Sequence, residues 1–258
     1  MPHYSIQHFS QSEQEGGFWL LSVTLEAIQN NSKTSQKIFP PPLYEGDLGR
    51  QFYLENSNIP LFLFQQNINK QRITLQFLSN QSVSHGIQPK YLDIIASAPT
   101  SNQTPLITCE TAKNLLLLGS GLHLANLFYL AKKRKTSLQD SCTLALLESK
   151  KDNRNGERTF PFKVKPAQLM SSNLPPEAIG TSSLLEDWHI PNRLASQQGV
   201  AGCFEGTLDE LFSYWLTQKN NAIQTGESWQ VIICASKKVQ QKCLSISQSY
   251  DWIHALVQ

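Results

Sequence analysis

Residues 115–131 read Leu-Leu-Leu-Leu-Gly-Ser-Gly-Leu-His-Leu-Ala-Asn-Leu-Phe-Tyr-Leu-Ala, and no other stretch limits the possible architectures so strongly. Four consecutive leucines suit a strand buried on both faces, as in a parallel sheet covered by helices. Gly119 and Gly121 follow, where such a strand turns sharply into a helix. From Leu122 onward Leu124, Leu127, Phe128 and Ala131 recur at helical spacing, which predicts a helix over 122–133. Lys132, Lys133, Arg134 and Lys135 stand at its end, where a solvated, cationic terminus is expected. A strand, glycine turn and helix leave backbone N–H groups free at the helix start, a seat for phosphate. Gly119, Ser120, Gly121, Leu122 and His123 are therefore candidate nucleotide contacts. A purely structural strand-to-helix turn accounts for the same glycines.

The rest of the chain divides into two rhythms. Strand-like segments fall at 18–26, 51–55, 60–64, 72–78 and 92–95, rich in aromatic and β-branched residues. Turn formers at 40–42, 46–47, 67–69 and 85–86 separate them. Closely spaced short strands imply a small antiparallel β-barrel or sandwich. The polar stretch 99–105 is the natural seam, giving a barrel domain over 1–108 and a second domain over 109–258. After the seam, strand and helix alternate: strands at 115–118, 142–148 and 229–234, helices at 122–133, 207–216 and 237–250. Gly206 or Thr207 is placed to cap the second helix, with Asp209 and Glu210 in its first turn. This alternation predicts an α/β domain with a parallel sheet and a ligand at the carboxyl ends of its strands. The expected fold class is thus α+β with two domains, an antiparallel barrel followed by a nucleotide-binding α/β domain.

Composition narrows the function classes. With 40% hydrophobic residues, 16% charged residues and a net charge of +2, the chain can bury a core but has no basic excess to attract nucleic acid. No apolar run approaches the roughly 20 residues of a membrane span. The start, from Met1 to Gln7, lacks the features of a signal peptide, so a cytoplasmic location is expected. Cys109, Cys142, Cys203, Cys234 and Cys243 are scattered and form no Cys-x-x-Cys pair, so no metal or iron–sulfur site is indicated and reduced thiols are expected. No Ser-His-Asp or paired-carboxylate arrangement supports a hydrolase.

A small antiparallel barrel followed by a nucleotide-binding domain resembles the ferredoxin–NADP reductase superfamily, most of all the electron-transfer subunit of dihydroorotate dehydrogenase. Residues 49–54 (Gly-Arg-Gln-Phe-Tyr-Leu) are similar to the family's Pro-Gly-Gln-Phe strand. Residues 118–125 resemble its glycine-rich turn beneath the nicotinamide nucleotide. Residues 199–211, from Gly199 through Cys203, resemble its glycine-containing Asp-Asp-Gly-Ser segment, and 232–236 resemble the Cys-Gly-Pro motif that ends the last core strand. The resemblance implies FAD or FMN on the barrel, NAD(P)H on the second domain, and a protein electron acceptor or catalytic subunit as partner.

The departures from the family pattern are equally specific. His123 stands where the family has glycine, and Asn126 where it often has proline. Ala235 and Ser236 replace Gly-Pro. The flavin motif Arg-x-Tyr/Phe-Ser falls near 58–62, read here as Asn-Ile-Pro-Leu-Phe, which leaves Pro60 and Phe62 at the flavin without the arginine or the serine. The C-terminal cysteine cluster that holds a [2Fe–2S] centre has no counterpart, so no iron–sulfur cluster is expected. Cys234 takes the position the family gives a cysteine beside the nicotinamide; a small apolar core residue is its other reading. Gly199 and Cys203 suit nucleotide contact and an ordinary connection equally. Trp188 reads as core, and residues 160–166 as an extended edge or loop. Three functions follow: a reductase-type subunit passing electrons from NAD(P)H through flavin to a partner, a member of the same fold that has lost redox chemistry and acts as a binding or regulatory module, or a generic nucleotide-binding α/β protein with an unrelated N-terminal β domain.

Overall fold

In the computed structural model the residues described are 3–26, 51–54, 57, 59–69, 72–84, 88–95, 104–137, 142–151 and 158–258. They fall into two units, one of residues 1–14 and 18–103, the other of residues 15–17 and 104–258.

The first unit is an antiparallel sheet of β1 (His3–Glu13), β2 (Trp19–Glu26), β3 (Gln51–Leu54), β4 (Phe62–Asn69), β5 (Arg72–Ser79) and β6 (Tyr91–Ile95). Their order is β3-β6-β1-β2-β5-β4, and a bridge from Phe52 to Leu61, just before β4, curls the sheet into a small barrel. Period-two alternation sets its interior: Leu21, Val23 and Leu25 of β2 and Ile73, Leu75 and Phe77 of β5 are buried, with intervening residues partly exposed. Phe52 and Phe77 meet across this core with ring centroids 5.0 Å apart.

Two features of this unit differ from the sequence expectations. The N-terminal segment forms an 11-residue strand, although its polar composition gave no strand signal; it is held by pairing with both β2 and β6. Residues 67–69, expected as a turn, continue β4 as far as the Asn69–Arg72 pair. The turns expected at 40–42, 46–47 and 85–86 lie outside the described residues, as does most of the seam at 99–105.

The second unit begins with α1 (Thr104–Thr111) and β7 (Asn114–Ser120), which contains the leucine run. A 3-10 turn over Gly121–His123 leads into α2 (Leu124–Ser137). There follow β8 (Cys142–Lys151), β9 (Arg158–Thr159), β10 (Val164–Pro166), β11 (Gly180–Ser182), α3 (Ser183–Asp187), β12 (Asn192–Ser196), β13 (Phe204–Glu205), α4 (Leu208–Asn220), β14 (Trp229–Cys234), α5 (Lys237–Ser247) and β15 (Ile253–Val257). The main sheet runs β13-β12-β8-β7-β14-β15, all neighbours parallel, with β9 antiparallel to the end of β8. Leu115 to Leu118 are fully buried, which places β7 in the centre as the run predicts. The antiparallel barrel and the helix-covered parallel sheet are the expected fold class.

On one face α4 buries Leu208, Leu211, Phe212, Trp215 and Leu216, the spacing of a single helical stripe. A capping box starts this helix: the Thr207 N–H donates to Glu210 Oε2 at 2.7 Å, and the Glu210 N–H to Thr207 Oγ1 at 3.4 Å. Such a cap stabilises a helix by about 1 kcal/mol. Lys242 on α5 meets Asp209 at 3.0 Å and ties α5 to the same helix start.

The expected solvated basic end of α2 needs correction at Arg134, which is 2% exposed. Its guanidinium caps the C-terminal end of α1: Nη1 donates to the Cys109 carbonyl at 2.8 Å, and Nη2 to those of Ala112 and Lys113. Nε donates to Thr143 Oγ1 at 3.1 Å. One planar fork therefore satisfies the orphan carbonyls of one helix while riding on another. β12 also escaped the sequence reading, because Asn192 and Arg193 break its apolar pattern; both side chains are buried and spend their polarity on backbone groups. Replacing Arg134 with Leu removes the donors to the Cys109 and Ala112 carbonyls, while Lys113 keeps the Cys142 N–H at 3.0 Å, and we expect a loss of about 3 kcal/mol in urea unfolding. Arg134→Lys, with a point charge in place of the fork, is expected to recover less than half of it.

Candidate functional site

The strand order places a topological switch between β7 and β14, because the chain leaves β7 toward β8 on one side and returns to β14 on the other. Two of the sequence-predicted segments meet there. Gly119 is the register partner of Cys234, so Ser120, Gly121, Leu122 and His123 leave the sheet beside Cys234 and Ala235. Gly199 and Cys203 stand farther along the same carboxyl edge, in the loop after β12. Pro60 and Phe62 lie in the barrel unit, half-buried at the start of β4.

The two glycines of the turn have different reasons to be glycine. A Cβ at Gly119 would come within 2.5 Å of Leu127 Cδ1, so its hydrogen lets α2 pack onto the strand. Gly121 has a φ of +61°, and a Cβ there would meet nothing within 4 Å. The space above that turn is open, and the backbone takes the left-handed region to reach it. The turn therefore presents open backbone at the start of α2, the kind of place where a phosphate can bind.

Other groups at this edge carry chemistry that constrains a ligand. Cys234 is fully buried, and burial, with a smaller contribution from Cys109, pushes its thiol far above the ordinary range. Burial thus keeps it in the protonated form. Cys109, donating to the Leu130 carbonyl at 3.2 Å, is likewise pushed up to about 12 by burial. His123 is partly buried, and burial lowers its pKa, so the imidazole is neutral at pH 7. Ala235 is 1% exposed.

Sequence reasoning missed Glu148. It lies at the carboxyl end of β8, 2% exposed, as the register partner of Ser120. A carboxylate interrupting an apolar strand at its last buried turn was the available signal. Among the described residues no cluster of three or more His, Cys, Asp or Glu is placed to hold a metal ion. No described helix is long and apolar enough to cross a membrane. Trp188 is half-buried, its ring centroid 6.2 Å from that of Phe128, and Phe160 is buried at the head of the segment leading to β10.

Two measurements follow from this chemistry. In the native protein an alkylating reagent at pH 8 should modify Cys142, which is exposed, while Cys109, Cys234 and Cys243 stay protected until denaturant is added. The lowered pKa of His123 means that the unfolded chain binds the proton more readily. Its contribution to stability is complete above the unfolded value near 6.5 and is lost as pH falls toward the folded value. Between pH 7.5 and 5, wild-type protein should therefore lose more stability than His123→Asn, measured by urea unfolding.

No protein-family model and no curated protein matches the chain. Solved structures do. Phthalate dioxygenase reductase aligns over 99% of this chain and 67% of its own, with a TM-score of 0.50 and 11% identity. A cytochrome P450 reductase from Amycolatopsis aligns over 98% and 69%, with a TM-score of 0.50 and 9% identity. A ferredoxin-NADP+ reductase variant from Plasmodium falciparum covers 99% of this chain and 95% of its own at a TM-score of 0.49 and 9% identity. The antiparallel barrel and the parallel sheet share their fold with phthalate dioxygenase reductase and the Amycolatopsis reductase.

Proposed function

We propose that this chain is an electron-transfer module that takes electrons from NAD(P)H into a bound FAD or FMN and passes them to a protein partner. The observation that carries this reading is the open, left-handed turn at Gly121, set at the switch point of the sheet. Support comes from the fold shared with phthalate dioxygenase reductase, described as a modular structure for electron transfer from pyridine nucleotides to a [2Fe-2S] centre. The finer reading, taken from the sequence resemblance, is a relative of the dihydroorotate dehydrogenase electron-transfer subunit working without an iron–sulfur cluster of its own.

In this reading the pyrophosphate lies against the backbone of the Gly121–Leu122 step, with the His123 side chain beside it and buried Ser120 beneath. Neutral His123 donates from one ring nitrogen without adding charge. Gly199 and Cys203 border the nucleotide along the sheet edge. Cys234 and Ala235 close the site to water with a neutral thiol and a methyl group. Pro60 and Phe62 give the barrel an apolar surface for the flavin. When bound, the nicotinamide supplies a hydride and the flavin accepts it; the protein contributes binding, orientation and dryness.

A second reading, a binding or regulatory module without redox chemistry, is favoured by specific observations. Glu148 stands in register with Ser120 and puts a buried acidic side chain one strand from the turn. His123, Ala235 and the missing flavin arginine all depart from the redox pattern. Purified protein discriminates between the two. The first reading predicts yellow protein with stoichiometric flavin, NADH or NADPH binding in equilibrium dialysis, and loss of that binding in Gly121→Val with flavin retained. Colourless protein that takes up neither flavin nor dinucleotide establishes the second reading, and unchanged affinity in Gly121→Val removes the turn from the site.

A further inference from the structure

The segment between β9 and β12 does not belong to the parallel sheet, yet its polar groups are buried and directed at one element. β10 and β11 form a hairpin, pairing Val164 with Ser182, Lys165 with Thr181 and Pro166 with Gly180. The stem is extended by the Ala167 N–H donating to the Ile179 carbonyl at 2.7 Å. Its base is fixed by Asn192 of β12, whose Oδ1 accepts from the Ser182 N–H at 2.7 Å. Its far end is fixed by buried charge. Glu186 Oε2 accepts from the Gln168 and Leu169 N–H groups, each at 3.2 Å, and Arg193 Nη2 donates to the Leu169 carbonyl at 3.1 Å. Glu186 and Arg193 are 5% and 7% exposed. Burying both is costly, and what it achieves here is a fixed hairpin.

That hairpin grips the loop at residues 199–203. The Gly180 N–H donates to the Gly202 carbonyl at 2.6 Å. The approach leaves no room for side chains: a Cβ on Gly180 would lie 3.0 Å from Cys203 Sγ and 3.1 Å from the Gly202 oxygen. Gly202 itself has a φ of +75°, with Ile179 Cγ1 3.0 Å from where its Cβ would be. Within the loop the Cys203 N–H donates to the Val200 carbonyl at 3.0 Å, and beyond it Phe204 and Glu205 pair with Ala195 and Ser196. The loop is thus shaped by β12 on one side and by the hairpin on the other.

We propose that the β10–β11 hairpin sets the conformation of the 199–203 loop for nucleotide binding, with Gly180 and Gly202 as positioning residues and Glu186 and Arg193 holding the hairpin in place. This inference rests on the dinucleotide reading given above. It separates two jobs along one sheet edge: the Gly121 turn offers open backbone to phosphate, while the hairpin fixes the wall that the rest of the dinucleotide meets.

The test uses the full chain and NADH as probe. Gly180→Ala pushes the loop away, so the NADH dissociation constant should rise about tenfold or more, with flavin content unchanged. Amide hydrogen exchange at 199–203 should quicken in the nucleotide-free protein. Trp252→Phe, which removes a hydrogen bond to Asn220 away from this edge, serves as a control for general destabilisation and should leave NADH affinity unchanged. Unchanged affinity and exchange in Gly180→Ala overturn the positioning role while leaving the dinucleotide reading intact. Wild-type protein that binds no NADH removes the dinucleotide reading and this inference with it.

Discussion

Burial of β7 on both faces is the constraint from which the second unit follows. A strand of four leucines cannot lie at an edge or face water, so it must have a strand on each side and helices above and below. Parallel neighbours require crossovers, and the crossovers place every loop of functional interest at the carboxyl edge. There the chain must turn from β7 into α2 within three residues. Packing of α2 through Leu127 excludes a side chain at Gly119, and the left-handed step at Gly121 completes the turn. The open backbone at Gly121 is a consequence of how tightly the strand and helix are joined.

Buried polar groups do the work that apolar packing alone does not specify. Arg134 joins the end of α1 to α2 and β8; Asn192, Arg193 and Glu186 join the hairpin to β12 and α3. Each such group is expensive to desolvate and is retained where it fixes one backbone against another. Cys234 and Cys109 are the opposite case, thiols that burial keeps protonated.

How much was legible in the sequence divides along the same line. Periodic and continuous apolar runs gave the central strand, α2, α4, β14 and the two-part architecture, because there the hydrophobic pattern and the structure are one fact. β1 was illegible, since its pairing partners and not its own composition hold it extended. β12 and the buried state of Arg134 were illegible for a related reason: a charged residue reads as solvated until its backbone partners, brought in from distant segments, are known. At the site, the glycine turn and its placement beside Cys234 followed from the motif order, whereas Glu148 needed the strand register to bring it beside Ser120. The different reasons for Gly119 and Gly121 emerged only from packing and backbone angles.

The same edge thus offers an open turn at Gly121 and, one strand away, the buried acidic side chain of Glu148. Which of these governs the chain is decided by electron flow. Mixing flavin-loaded protein with NADH, and separately with NADPH, under anaerobic conditions and following the visible flavin band tests this most directly. The account predicts bleaching with saturable dependence on nucleotide concentration, lost in Gly121→Val. A flavin band unmoved by either nucleotide, yet bleached by dithionite, contradicts it.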